Sequence, residues 1–396
     1  MTIGMILDAP FPPDPRVENE AVSLVQAGYQ VCLFCLTYGD EPAEEIHEGI
    51  RICRYRSDKL EYKLSALAYT VPFYTRLMAK KINRFLEKYP IDFLHIHDIR
   101  IAGAVFSANQ KHNLPTVLDL HDNLPEVMKL YPHLQKFPGK FLISPQRWKQ
   151  KEELFIAKAT KVVTVSQEFV DEVLSRTGID QNKMVLVPNT VRTSFYKDAV
   201  YDQKLLDRFD GHFVLLYLGD THLRRGLQTV IAALPALSEQ IPSILLVVVG
   251  TNTTDPVLKK QVADLGMEDF VSFEGWQNVS LFPSYIKGSS LCLSPLHRNK
   301  HHDVAYANKL FQYMSLGKPL LVSDAIAQKK LIERTQSGLV HRERDVEDFI
   351  EKTSLLAANK KLRTQMGANG KAFVETEFSW EQTSKNLVHL YDNLNR

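Results

Sequence analysis

The sequence predicts an α/β protein made of two doubly wound parallel sheets. Short apolar runs alternate with longer amphipathic stretches throughout, the signature of strands joined by crossover helices. The pattern starts afresh after the turn-rich segment Pro188-Asn-Thr-Val-Arg-Thr-Ser-Phe195. A chain of 396 residues is also long enough to bury two full cores. The boundaries fall at 1–190, 191–375 and 376–396, the last segment being a helix expected to return to the first domain.

In the first half, the runs Ile3–Leu7, Val31–Leu36, Phe93–His97, Thr116–Leu120, Val162–Val165 and Met184–Val187 read as strands. Arg16–Ala27, Leu64–Lys88 and Pro145–Ala159 read as helices between them. In the second half the strands are Phe213–Leu218, Ile244–Val249, Val271–Phe273, Leu291–Leu293 and Pro319–Val322. A final helix runs from Trp380 to about Leu394, with Ser379 as its N-cap.

Bulk composition narrows the function. Hydrophobic residues are 44% and charged residues 24% of the chain, and the net charge of +2 gives no reason to expect nucleic acid. Cys32 and Cys35 have CxxC spacing but sit in a strand-like run, where they point to opposite faces, so neither a redox pair nor a metal site is expected. The cysteine usage suits a reducing compartment. The chain starts directly on strand-like sequence, without a basic leader and cleavage site, and no apolar run reaches membrane-spanning length. A cytoplasmic location is the expectation.

Two such domains leave a ligand cleft at the carboxyl ends of their sheets, so residues just after strands are the candidates. The segment Tyr217-Leu-Gly-Asp-Thr-His-Leu-Arg-Arg-Gly226 is a strand, a glycine turn and a basic pair. Arg224 and Arg225 can clamp a diphosphate with a fork geometry that lysine lacks. Ala307-Asn-Lys-Leu-Phe-Gln-Tyr-Met-Ser-Leu-Gly317 reads as a helix opening on Asn308 and Lys309, with Gln312 on the same corner. A cation, two carboxamides and unpaired amides make a seat for a phosphorylated ligand. Asp119-Leu-His-Asp122 puts His121 at a strand end, where a neutral histidine can orient a hydroxyl. His301-His-Asp303 reads as a solvated polar loop rather than a metal site. There is no Walker-type loop, no G-x-G-x-x-G after the first strand and no Asp-x-Asp at a strand end, which argues against ATP hydrolysis and NAD chemistry.

In order and spacing, these pieces resemble the group 1 (family 4) glycosyltransferases of the GT-B fold, two Rossmann-like domains, over nearly the whole chain. The matching segments are Phe11-Pro-Pro-Asp-Pro-Arg-Val17, Leu94-His-Ile-His-Asp98, Asp119-Leu-His-Asp122, and Trp148 with Glu152 before Val162-Val-Thr-Val-Ser166. Val187-Pro-Asn189, the Gly219–Gly226 turn, Val247-Val-Val-Gly250, the 307–324 segment and Phe378-Ser-Trp380 complete the series. The resemblance implies retaining sugar transfer from a UDP- or GDP-sugar to a glycan or lipid-linked acceptor, in bacterial cell-surface polysaccharide synthesis, with no metal and no other cofactor. It places the donor on the second domain and the acceptor on the first. Arg225, with Arg224, would neutralise the diphosphate, and Gly219 would bind the donor beside them; Lys309 and Asn308 would lie at the phosphates and sugar; Gln312 would meet the ribose. Gly250 lines the same site, and Gly275 and Trp276 fall near the base. His121 would lie close to the transferred sugar, with Asp122 and Arg16 on the acceptor side.

Three departures stand out. The family commonly carries two glutamates separated by seven residues, and here Val304 and Gln312 occupy those positions. Asp220 follows Gly219 where many members carry arginine. The first loop is Pro-Pro-Asp-Pro rather than glycine-rich, so Arg16 is expected to serve in place of backbone amides. Two other readings stay open: a nucleotide-sugar epimerase of the same fold, which the missing glutamates disfavour because it needs carboxylates around the sugar, and a non-catalytic sugar-binding partner subunit, for which the missing glutamates are the argument. Finally, Leu64–Lys88 and Lys129–Lys151 mix aromatics with basic residues; this surface either lies on anionic lipid as a peripheral contact or packs in the first domain with its basic face solvated.

Overall fold

The computed structural model describes residues 1–131, 134, 136–137 and 139–395, so residues 132, 133, 135 and 138 of the basic-aromatic stretch and residue 396 of the closing segment lie outside the described residues. The chain divides into two compact units, Met1–Pro188 with Ser384–Arg396, and Asn189–Thr383.

The first unit contains β1 (Thr2–Ile6), β2 (Gln30–Thr37), β3 (Glu44–His47), β4 (Ile50–Arg56), β5 (Phe93–His97), β6 (Thr116–Leu120), β7 (Lys161–Thr164) and β8 (Met184–Leu186). They form one sheet in the order β3-β4-β2-β1-β5-β6-β7-β8. β1, β5 and β6 are buried along their whole length, as central parallel strands are, with His95, His97 and Asp119 buried among their apolar residues. Strand order switches between β1 and β5, so the segments after them, from Leu7 and from Asp98, occupy the position where such sheets bind ligands.

Two first-unit expectations change. The hairpin β3–β4 was not anticipated, because on this antiparallel edge charged residues alternate with apolar ones and no continuous run forms. Glu48 and Gly49, at φ 51° and 80°, supply the tight turn. The expected helix Leu64–Lys88 is two helices, Lys59–Ser65 and Phe73–Lys88. Asp58 caps the first, and Pro72 closes the intervening turn because proline disfavours helix in the residue before it.

The second unit contains β9 (Phe213–Leu218), β10 (Ile244–Val249), β11 (Val271–Gly275), β12 (Leu291–Ser294), β13 (Leu320–Ser323) and β14 (Gly338–His341), in the order β11-β10-β9-β12-β13-β14. Successive residues of β9 feed opposite cores: Val214, Leu216 and Leu218 on one face, Phe213, Leu215 and Tyr217 on the other. β14 is too short and polar to read as a strand in sequence, and Gly338 lets it pass within a missing Cβ of the Leu320 carbonyl. Here the order switches between β9 and β12, which brings the turn after Leu218 and the loop after Ser294 to one place.

The closing helix is also interrupted. Trp380–Thr383 belongs to the second unit, where the Trp380 amide donates to the Val191 carbonyl at 2.9 Å. Lys385–Leu394 packs in the first unit: Asn386 donates to the Leu186 carbonyl at 2.9 Å, and the Tyr29 hydroxyl donates to Asp392 at 2.7 Å.

Candidate active site

In the second unit, the turn after β9 is shaped by two glycines. Gly226, at φ 81°, abuts the Pro295 carbonyl so closely that a Cβ would lie 1.7 Å from the oxygen. The His297 amide donates to the Arg224 carbonyl at 3.0 Å, fastening the same turn to the loop after β12. Gly219, at φ 116°, has open space where a side chain would stand, and Gly250 packs against its carbonyl. The backbone after β9 is therefore accessible to a ligand.

Charge gathers on this turn. Arg225 Nε lies 3.3 Å and Arg224 NH2 3.5 Å from Asp220 Oδ2. Asp220 Oδ1 accepts from Asn252 Nδ2 at 2.7 Å and from the His222 amide at 3.2 Å. Burial alone would raise the Asp220 carboxyl, but Arg225 and these bonds outweigh it and hold the group below the usual carboxylate range. Lys309 comes from the helix Lys309–Ser315, and its Nζ lies 3.4 Å from the centre of the Tyr217 ring. It has no carboxylate within 4 Å among the described residues, and burial together with the charge of Arg225 pushes its pKa well below the lysine range. Asn308 is exposed and Gln312 half-buried on the same helix. Trp276 follows Gly275 at the end of β11 and is 74% exposed, a flat apolar face open to a ring.

The structure thus brings Gly219, Arg224, Arg225 and Lys309 together with Tyr217 and Asp220, while no hydrogen bond or ring contact ties Asn308, Gln312 or Trp276 to them among the described residues. Tyr217 escaped sequence reasoning because it reads as one more apolar residue of a buried strand. The expectation for His301 and His302 is corrected: both are buried, not solvated, and burial plus the neighbouring arginines lower their pKa values to about 4 and about 3. They are neutral, and His302 donates from Nδ1 to the His297 carbonyl at 2.7 Å.

In the first unit, the strand ends carry a buried charge cluster. Arg16 grips Asp119 with two bonds, Nε to Oδ2 at 3.0 Å and NH2 to Oδ1 at 2.7 Å. It also lies 2.9 Å from Glu20 and donates to the Val187 carbonyl at 3.1 Å. This corrects the expectation that Arg16 serves a ligand at the first loop, since its guanidinium is consumed inside the unit. His121 Nε2 lies 2.8 Å from Asp119 Oδ2 and 3.0 Å from His97 Nδ1, while its Nδ1 is 3.8 Å from Asp98. Burial opposes its charged form, but Asp119 and Asp98 prevail and push the pKa up to about 9. His121 is therefore an imidazolium at neutral pH, not the neutral histidine expected. Burial takes His97 the other way, down to about 4, so it is neutral beside the charged His121. Asp98 is raised to about 6, by burial first. Asp122 is exposed beside this set.

Glu20, His95, His97 and Asp119 present ligand-type atoms within 4.8 Å of one another. Arg16 already sits on both carboxylates and supplies the positive charge a metal would bring, so this donor set does not fit a metal centre. Nearby, Asp8 at the end of β1 accepts from Arg100 Nε at 2.6 Å and from the Tyr74 hydroxyl at 2.7 Å.

Residues 16–195 match the model of Glycosyltransferase Family 4, and residues 202–373 that of Glycosyl transferases group 1. The uncharacterized glycosyltransferase MJ1069 of Methanocaldococcus jannaschii is 20% identical over 243 residues, 61% of this chain. The chain spans 60% of that relative's length. Among solved structures, the sucrose-phosphate synthase of Thermosynechococcus elongatus superposes with a TM-score of 0.80 at 18% identity, covering 99% of this chain and 98% of that one. The Anabaena protein HepE in complex with UDP-glucose gives 0.73 at 14% identity, covering 99% and 100%. Two family models in tandem and two parallel-sheet units of this order place the chain in one group: it belongs to the group 1 (family 4) glycosyltransferases and has their GT-B fold.

Proposed function

We propose that the protein is a retaining, metal-independent glycosyltransferase moving a sugar from a UDP- or GDP-sugar to a glycan or lipid-linked acceptor in bacterial cell-surface polysaccharide synthesis. The observation that carries this reading is the basic set after β9: Arg225 and a Lys309 amine that lies on an aromatic ring with no carboxylate within 4 Å among the described residues, placed to take up a proton when a diphosphate arrives. Breaking a glycosyl–phosphate bond puts negative charge on the departing diphosphate. Fixed cations stabilise that charge more in the transition state than in the ground state. The acceptor oxygen bonds to the anomeric carbon on the face the diphosphate leaves, and a diphosphate oxygen takes the acceptor's proton. No side chain then has to act as a strong base. The first unit is assigned the acceptor, with the His121 imidazolium as the hydrogen-bond donor to the sugar or acceptor hydroxyl.

A peripheral membrane contact belongs to the same reading. Phe73, Phe137 and Phe141 are 64%, 84% and 76% exposed, and Lys136, Lys140, Arg147 and Arg76 are exposed with them. Thr70 donates to the Leu142 carbonyl at 2.6 Å, joining the helix Gly139–Leu142 to the turn before Phe73. Aromatic rings flanked by cations suit an anionic lipid surface, where a lipid-linked acceptor resides.

The test is to incubate the purified protein with a panel of UDP- and GDP-sugars and measure free nucleotide release and thermal shift. No turnover and no shift with any of them sinks the reading. Co-sedimentation with anionic vesicles, absent with neutral ones, checks the lipid contact.

A further inference from the structure

Asp220 stands where the arginines would otherwise meet a ligand. It directly follows Gly219, whose backbone is open, and its carboxylate is partly exposed. One oxygen is anchored, accepting from Asn252 Nδ2 at 2.7 Å and from the His222 amide at 3.2 Å. Asn252 is itself held, its amide donating to Asp255 at 3.1 Å and its Oδ1 accepting from the Thr254 amide at 3.2 Å. The other oxygen faces two guanidiniums at 3.3 and 3.5 Å. Charge-assisted bonds of full strength are about 2.7–2.9 Å and, with arginine, usually two-pronged. Asp220 is therefore firmly placed but loosely paired.

We propose that Asp220 is a resident anion that a diphosphate must displace from Arg225 and Arg224, so that this residue weakens donor binding and speeds release of the nucleoside diphosphate product. The inference rests on the donor-site reading above. A diphosphate carries more charge than one carboxylate and presents oxygens to both arginines at once, so it wins the exchange. Part of its binding energy is spent on freeing Asp220, and the carboxylate is ready to retake the arginines when the product departs. An arginine at this position would instead add to the attraction, a difference of two units of charge at the donor site.

The experiment measures binding of inorganic pyrophosphate, UDP, GDP, UMP and GMP by titration calorimetry to the wild type, Asp220→Asn, Arg225→Ala and the double variant. Asp220→Asn is expected to tighten pyrophosphate and whichever nucleoside diphosphate binds by roughly three- to tenfold, with a smaller gain for the monophosphate. In the Arg225→Ala background that gain should shrink to less than about twofold. Asp220→Ser, which also removes the charge, serves as the second variant if Asp220→Asn loses its cooperative melting transition. Unchanged or weaker binding of a bound diphosphate by a folded Asp220 variant overturns the inference and makes Asp220 a support of its turn. Tighter pyrophosphate binding with no UDP or GDP bound by any variant keeps the inference and removes the nucleotide-sugar reading. No binding of any probe removes both.

Discussion

The Lys309 Nζ rests 3.4 Å from the centre of the Tyr217 ring, although the two lie 92 residues apart and on different elements. A ring face places the Nζ and favours its charged form without supplying an anion, which leaves Lys309 positioned to meet one. Tyr217→Phe keeps the ring and loses only the hydroxyl bond to the Asp220 carbonyl, 2.6 Å long. That variant should lose about 1 kcal/mol of stability and retain donor affinity. Tyr217→Leu removes the platform and should weaken donor binding roughly five- to tenfold, read by calorimetry. Equal affinities for the two variants would mean the ring does not place Lys309.

Arg225 carries the larger share of the diphosphate charge in the proposed site. Arg225→Ala should weaken donor binding on the order of a hundredfold, to a level still read at high ligand concentration, while leaving the melting temperature near that of the wild type because the side chain is partly exposed. Retained affinity would move the diphosphate elsewhere.

His121 is proposed to act on the sugar rather than the nucleotide. His121→Ala should lower the transfer rate by roughly 10²-fold while changing donor affinity by less than about threefold, measured as kcat against Kd. An unchanged transfer rate refutes the assignment.

The charge cluster around Asp119 should make stability depend on pH in two directions. His121 is raised from 6.5 to about 9, so its contribution is fully present below pH 6.5 and is lost as pH rises through 9. His97 is lowered from 6.5 to about 4, so its contribution is present above pH 6.5 and is lost as pH falls through 4. Urea unfolding should show the alkaline loss flattened in His121→Asn and the acid loss flattened in a folded His97→Asn. Parallel pH profiles for wild type and variants would contradict the placement of these charges.

Arg16 is predicted to be structural. Arg16→Ala leaves Glu20 buried without its cation and strips Asp119 of its two-pronged partner, and should cost about 3–5 kcal/mol in chemical denaturation. Nucleotide affinity, if the folded fraction is assayed, should not change. A stable Arg16→Ala protein with altered acceptor use would restore a ligand role for this side chain.

Legibility of the fold tracked burial. β1, β9 and β10 stand out in sequence because central parallel strands are largely apolar on both faces, and β5 and β6 do so through the apolar residues around His95, His97 and Asp119. β3, β4 and β14 do not: an edge hairpin alternates charge with apolar residues, and β14 is four residues long. The break at Pro72 was legible in principle, but the hydrophobic spacing on either side reads as one helix. At the site, the charged side chains announced themselves by their position after strands. What they do to each other did not. The pairing of Arg16 with Asp119 joins residues 103 positions apart, and only that burial and pairing decide whether His121 is charged or Arg16 is free.

The helix Lys385–Leu394 has a consequence for how the protein is made. Tyr391 bonds His95 Nδ1 at 2.7 Å and packs its ring near those of Phe93 and Tyr29, all in the first unit. That partner leaves the ribosome 296 residues after His95. Throughout synthesis of the second unit, the first therefore waits with the place of Tyr391 unfilled and His95 Nδ1 without that partner. A fragment ending at Pro188 holds all eight strands of its sheet but keeps that gap permanently, so it is expected to be less stable than the same unit in the full chain.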